Sequence, residues 1–206
     1  MSLSLWLALL GACLVISSTP GAGAVNTMAN SLGAGWTRAI WGILGQQLAL
    51  VVHIAIVAAG VGALVSRSHV AFDTIRYVGA AYLVLLGIRQ LRARSAVGAV
   101  AAEQVREPAW SMFRRGLLVN LTNPKAIVFF LAFLPQFVRP ARPLVPQYAV
   151  LTATVVSVDI LVMWFFFATA ARGLARLTAR ESGRRTLNRV FGGLFVGVGV
   201  LLAAVH

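Results

Sequence analysis

The sequence predicts an all-α integral membrane protein: six transmembrane helices arranged as two inverted three-helix repeats. Three observations lead there. Of the 206 residues, 59% are hydrophobic and 11% charged, with a mean hydropathy of +0.85; a soluble domain is about half apolar and about a quarter charged. Apolar runs close to the length that crosses a bilayer recur along the whole chain. Matching marks also sit at corresponding places in the two halves, and three spans per half force one half to be upside down relative to the other.

The spans read from the apolar runs are Leu3 to Ser18, Ala39 to Val65, Ile75 to Leu91, Gly116 to Val138, Leu144 to Ala171 and Val190 to Val205. They are apolar on all sides, as helices in lipid are, and they lack the alternation of membrane strands. The first run, followed by Ala22-Gly23-Ala24, has the look of a signal peptide. No Lys or Arg precedes it, so it is read as a retained span. Repeat one covers about 1–91, a mobile cytoplasmic loop about 92–113, and repeat two about 114–206.

The repeat rests on two pairs of marks. "RYVGAAYLVLLG" places Gly79 and Tyr82 after Arg76, and "RVFGGLFVGVG" places Gly192 and Phe195 after Arg189. Pro20 and Pro124 each follow a run rich in hydroxyls or amides.

The formal net charge of +13 would suggest nucleic acid on a soluble protein. Here it sets topology instead. Thirteen arginines fall on one side: Arg38, Arg89, Arg92, Arg94, Arg106, Arg114, Arg115, Arg172, Arg176, Arg180, Arg184, Arg185 and Arg189. Only Arg67, Arg76, Arg139 and Arg142 fall on the other. The crowded side is expected to be cytoplasmic and both termini outside, in a bacterial inner membrane. Cys13, the single cysteine, excludes an intramolecular disulfide and a multi-cysteine metal site.

"NLTNPKAIVFF" puts a helix breaker and the only lysine inside an apolar run. Proline lacks an amide hydrogen, and a freed carbonyl in lipid is costly unless protein or a wet cavity satisfies it. Interrupted segments in corresponding positions are a pointer to a transport site. Ser17, Ser18, Thr19, Asn120, Thr122 and Asn123 flank the breaks and can bind a zwitterion or merely serve the freed backbone. The substrate-binding candidates are Ser18, Thr19, Pro20, Gly21, Asn120, Asn123, Pro124 and Lys125. Lys125 either snorkels to the interface or takes a partner within the bundle. Asp159, the acid well inside a span, can pair with Lys125, bind an amine or carry a proton. His53, mid-span and titratable near neutral pH, lies 106 residues before Asp159, close to the 104 between the prolines. These two are the proton-coupling candidates.

"TPGAGAV", "GAAYLVLLG" and "NLTNPKAIVFFLAFLPQFV" together make the chain resemble the lysine exporter (LysE/RhtB) family of bacterial amino-acid efflux transporters, over nearly the whole length. The resemblance implies proton-driven efflux of an amino acid or close derivative, with neutral ones such as homoserine, threonine or leucine favoured over basic ones, by alternating access. The family's Pro-Gly-Pro element maps to Pro20, Gly21 and Ala22, so its second proline is absent. The polar residue that usually follows is Gly23. No cofactor and no metal site are expected, and a homodimer suits so small a body. A metal or small-ion exporter would want more intramembrane carboxylates, histidines or thiols. A membrane-embedded enzyme would want a Gly-x-Ser-x-Gly elbow or a His-Glu-x-x-His site, and the sequence has neither.

Overall fold

Two helices broken near their midpoints organise the protein. A computed structural model describes residues 1–65, 69–92, 107–139, 141–173 and 181–204, and among these every regular element is helical. Helix α1 (Leu3–Ser18) begins where the Ser2 hydroxyl accepts from Leu5 N–H, a side-chain N-cap. It ends because Pro20 follows. Thr19, the residue before the proline, is pushed to extended backbone, φ −76° and ψ 119°. The chain restarts as α2 (Ala22–Ala34), bent 58° from α1. Gly35 ends α2 at φ 90°, a left-handed conformation that glycine adopts without strain.

The second broken helix repeats this plan. Helix α5 (Ala109–Leu121) leads over Thr122 and Asn123 into α6 (Pro124–Val128), at a bend of 52°. The Asn123 side chain accepts from Lys125 N–H, and Pro124 occupies the first turn, where its missing N–H would be unpaired anyway. From α6 the chain continues as a π-turn over Phe129–Phe133 and a 3₁₀ turn over Leu134–Phe137.

The remaining helices are α3 (Ala39–Val65), α4 (His69–Arg92), α7 (Leu144–Leu161) and α8 (Glu181–Ala204). Helix α7 runs on through a π-helical stretch, Val162–Ala168. The 27 residues of α3 span about 40 Å. Ala39–Gly60 and Leu144–Gly173 are each long and apolar enough to cross a membrane, and each bent pair passes when taken as one span. That makes up to four crossings by length and composition among the described residues.

The first apolar run ends where α1 ends, at Ser18, and the sequence predicts no helix at 22–34, where α2 follows the break. One expectation from the sequence needs correction. The loop expected at 92–113 is shorter at its far end, because 109–113 lie in α5, which starts after Pro108. Most of that loop lies outside the described residues, as does the end of the last span. The α8 helix begins at Glu181, ahead of Val190, where its apolar run starts.

Glycines set the tightest helix contacts. A Cβ on Gly116 would strike Gly42 O, and one on Gly45 would strike Phe113 O, so α3 and α5 touch through backbone. Between α4 and α8, a Cβ on Gly87 would come within 2.7 Å of Gly192 O, and one on Gly199 within 2.9 Å of Ala80 O. Small residues allow such approaches in membranes. Gly116→Leu is expected to lower unfolding stability by at least about 1–3 kcal/mol, the usual overpacking range, as measured by denaturation in mixed micelles.

Two apolar clusters fill the interior. The larger joins α1, α3, the π-turn after α6, and α7 through Leu9, Cys13, Leu50, Phe129, Phe130 and Val155. The smaller joins α2, α3 and the π-helical part of α7 through Ala24, Met28, Ile43, Met163 and Phe167. Ser17, Gln46, Asn120, Asn123, Lys125 and Asp159 collect where residues of both clusters meet.

Candidate functional site

The break at Pro20 creates a specific vacancy. Within an unbroken helix the Ile16 carbonyl would accept from the amide at position 20, but proline has none. Lys125 fills the place: its Nζ donates to Ile16 O at 2.9 Å and to Thr19 O at 2.7 Å. An ammonium at a helix C-terminus also meets the negative end of the helix dipole. The lysine from one broken helix thus terminates the other, and it does not reach out to an interface.

Asp159 lies across the same cavity, 9% exposed. Its Oδ1 accepts from Ser17 Oγ at 2.9 Å and its Oδ2 from Gln47 Nε2 at 2.7 Å. Charge-assisted bonds of this kind are the strong ones, and both carboxylate oxygens receive a donor. The hydrogen bonds described for Lys125 and Asp159 run to other partners, while the two opposite charges face the same cavity and attract one another.

Around them the cavity is lined by Cys13, Ile16, Ser17, Gly23, Ala24, Gln46, Leu50, Asn120, Asn123, Ala126, Phe129, Phe130, Val155 and Met163. It measures about 40 Å³, on a scale where a water takes about 10–15 Å³. That is room for about three waters and too little for a whole amino acid. Gln46 Nε2 bridges Gly23 O and Thr27 Oγ1, and Asn120 Nδ2 donates to Gln46 O. At the start of α2 the first helical bond is made by Val25 N–H to Gly21 O. The amides of Ala22, Gly23 and Ala24 precede it, at the positive end of the helix.

One end of the bundle is closed by a second polar group. Arg115 Nε donates to Asn26 Oδ1 at 3.0 Å, its Nη2 to Asn30 Oδ1, and its Nη1 pairs with Glu107 at 2.7 Å. Arg38 donates to Glu107 O and Ser111 to Glu107 Oε1. This is the arginine-rich end.

The profile of the LysE type translocator family matches residues 14–205. The chain belongs to that family. It is 41% identical to the homoserine/homoserine lactone efflux protein of Salmonella typhimurium, over all of this chain and 99% of that one. It is also 41% identical to a Vibrio cholerae membrane protein, over 98% of both chains. A leucine efflux protein of Salmonella choleraesuis is 29% identical over 99% of this chain and 96% of its own. No solved structure matches.

Within this LysE-family chain, the sequence candidates divide. Asn120, Asn123, Lys125 and Asp159 line the cavity together. Ser18, Thr19, Pro20, Gly21 and Pro124 do not. Thr19 turns its hydroxyl back to Val15 O, Gly21 lies against the Lys125 side chain, and the two prolines shape the breaks. Ser17, one residue before the expected Ser18, is the hydroxyl that meets Asp159. His53 is buried and stacked on Phe130 at 5.7 Å between ring centres; Phe130 lines the cavity and His53 does not. Its Nδ1 has no hydrogen-bond partner. Gln46 and Gln47 were not singled out from the sequence. Their signal was present: two adjacent amides in "LGQQLALV" interrupt an otherwise apolar span.

Proposed function

We propose that the protein exports a neutral amino acid, or a close derivative, across the bacterial inner membrane in exchange for protons. The observation that carries this is the cavity where the two helix breaks meet, with Asp159 on one wall and Lys125 on the other. A zwitterion needs opposite charges at short range. Its ammonium matches Asp159, and its carboxylate matches Lys125 and the first-turn amides of α2. A substrate with a second positive charge would find no second carboxylate among the cavity-lining residues. The names of the efflux relatives agree with this substrate class.

The two bends, 58° and 52°, and the pairing of α4 with α8 support a body of two inverted repeats. On that plan α1–α2 and α5–α6 are equivalent broken spans, α3 answers α7, and six spans place both termini outside. The arginine-rich end is then cytoplasmic, and the Arg115 network is its gate. Protons couple through Asp159, which exchanges its Ser17 and Gln47 donors for substrate or proton, with His53 as a second titrating group reached when Phe130 turns. Binding shifts the populations of inward and outward forms.

The test is efflux from proteoliposomes loaded with labelled homoserine, threonine, leucine or lysine under an imposed pH gradient. Gradient-driven release of a neutral amino acid is expected, with lysine released far more slowly. Release of none of the four above protein-free liposomes would overturn the reading, as would release that ignores the gradient.

A further inference from the structure

A second concavity lies away from the central cavity, at the arginine-rich end, where α2 meets the π-helical stretch of α7. It encloses about 510 Å³ and is lined by Ser31, Leu32, Trp36, Phe165, Thr169 and Arg172, among others. That is within the usual range for a small-molecule site. The π-helical stretch supplies part of its wall, and its widened turns leave the i→i+4 ladder and expose carbonyls. Those carbonyls are taken up by α2 and its neighbours: Ser31 Oγ donates to Ala168 O at 2.6 Å, Trp36 Nε1 to Trp164 O at 3.2 Å, and Thr169 Oγ1 to Trp164 O at 3.3 Å. Trp36 also stacks on Trp164 at 5.0 Å. The walls are therefore built, and what they leave unfilled is an apolar slot with a cation at its rim. Among the described residues, Arg172 is exposed and takes no protein acceptor.

The position identifies the occupant. Phe165, in the slot's wall, and Phe166 next to it stand outward at 56% and 47% exposure, large apolar side chains of the kind a membrane helix turns to lipid. Trp36, Trp41 and Trp110, at 39%, 43% and 65% exposure, gather at the same end of the bundle. Such tryptophans sit at the headgroup level of a bilayer. The slot thus opens sideways into lipid at headgroup depth, on the end that carries Arg38, Arg114, Arg115 and Arg172. Its apolar wall suits an acyl chain and its cation suits a phosphate, a combination that a soluble anion does not satisfy. Basic pockets between helices at this depth take anionic headgroups.

We propose that this slot binds one anionic phospholipid of the surrounding leaflet, with its phosphodiester on Arg172 and an acyl chain against Leu32, Trp36 and Phe165. The lipid braces α2 against α7, the two elements whose other parts line the central cavity. It is a structural ligand, so its binding is independent of whether the central cavity carries amino acids.

Native mass spectrometry of the full-length protein in mild detergent, with phosphatidylglycerol or phosphatidylcholine added, reads this directly. Wild type is expected to retain one phosphatidylglycerol in preference to phosphatidylcholine. Arg172→Gln should weaken that retention about fivefold, on the order of what one basic side chain contributes at an anionic surface. Leu32→Trp, which fills the slot and keeps the charge, should weaken it as well. Arg139→Gln, at the opposite end, should not. Glycerol 3-phosphate should fail to displace the lipid, which separates a lipid site from a free phosphate site. Equal retention of both lipids by wild type would overturn the proposal, as would unchanged retention in Arg172→Gln and Leu32→Trp, or full displacement by glycerol 3-phosphate. None of these readings involves transport, so failure here leaves the efflux proposal standing, and the converse holds too.

Discussion

Lys125→Met is expected to destabilise the protein by about 2–6 kcal/mol, because it strips the donor from two carbonyls, Ile16 O and Thr19 O, at about 1–3 kcal/mol for each buried acceptor left unpaired. The reason is local. Pro20 removes the amide that Ile16 O would otherwise use, and the lysine stands in for it. A double-mutant cycle isolates this claim. Pro20→Ala restores an amide at position 20 and lets α1 serve Ile16 O itself. In the Pro20→Ala background, losing the lysine should then cost about 1–2 kcal/mol less than in wild type, within the usual range of coupling between contacting residues. Reversible unfolding of the four proteins in mixed micelles measures it. If Lys125→Met costs the same in both backgrounds, Lys125 is not standing in for the missing amide.

The second large effect concerns Asp159. Asp159→Asn keeps the shape of the side chain, and Ser17 Oγ still has an oxygen to donate to. It removes the charge and turns an acceptor toward Gln47 into a donor, so the 2.7 Å bond from Gln47 Nε2 is lost. Efflux should fall about 100-fold or more, on the order of 3 kcal/mol for losing a charged partner in a buried site. Folding should survive, because the carboxylate already carries a burial penalty that the amide avoids. Asp159→Glu should restore part of the efflux. Initial rates of homoserine or leucine efflux in proteoliposomes check it, with retained thermal unfolding as the control. Efflux by Asp159→Asn within a few-fold of wild type would remove Asp159 from the transport cycle.

Much of this architecture is legible in the sequence, and the parts that are not share physical reasons. The limits of α1 and α3 follow from apolar runs that stop at a proline or a turn. Helix α2 escapes such reading because Ala-Gly-Ala-Val-Asn-Thr-Met-Ala-Asn-Ser looks like a polar loop. Its polar residues face inward instead, with Asn26, Thr27 and Asn30 all buried, and the Asn26 and Asn30 side chains lie over Gly42. The starts of α5 and α8 carry arginines and precede the apolar run, so hydropathy alone places those helices too late. The π-turns in α6 and α7 leave no mark in composition, because a slipped hydrogen bond within a run of Phe, Leu and Val needs no special residue.

At the site, residue chemistry is more legible than direction. Pro124, Lys125 and Asp159 stand out because helix breakers and charges are rare in lipid. Which neighbour faces the cavity depends on helix phase. Ser17 and Ser18 both lie in α1 and point about 100° apart, and it is Ser17 that meets Asp159. Gln46 and Gln47 act as a pair because adjacent helical positions point about 100° apart. One reaches α2 and the other reaches α7.

The central claim is that the meeting point of the two broken helices holds the amino acid. A crystal structure of the protein grown with a transported amino acid tests it most directly. The account predicts the ligand between α2 and α7, its ammonium within hydrogen-bond reach of Asp159 and its carboxylate at Lys125 and the amides of Gly23 and Ala24, in a cavity wider than the present one. An ordered amino acid bound elsewhere, with Ser17 and Gln47 still on Asp159 and Lys125 still on the α1 carbonyls, would contradict it.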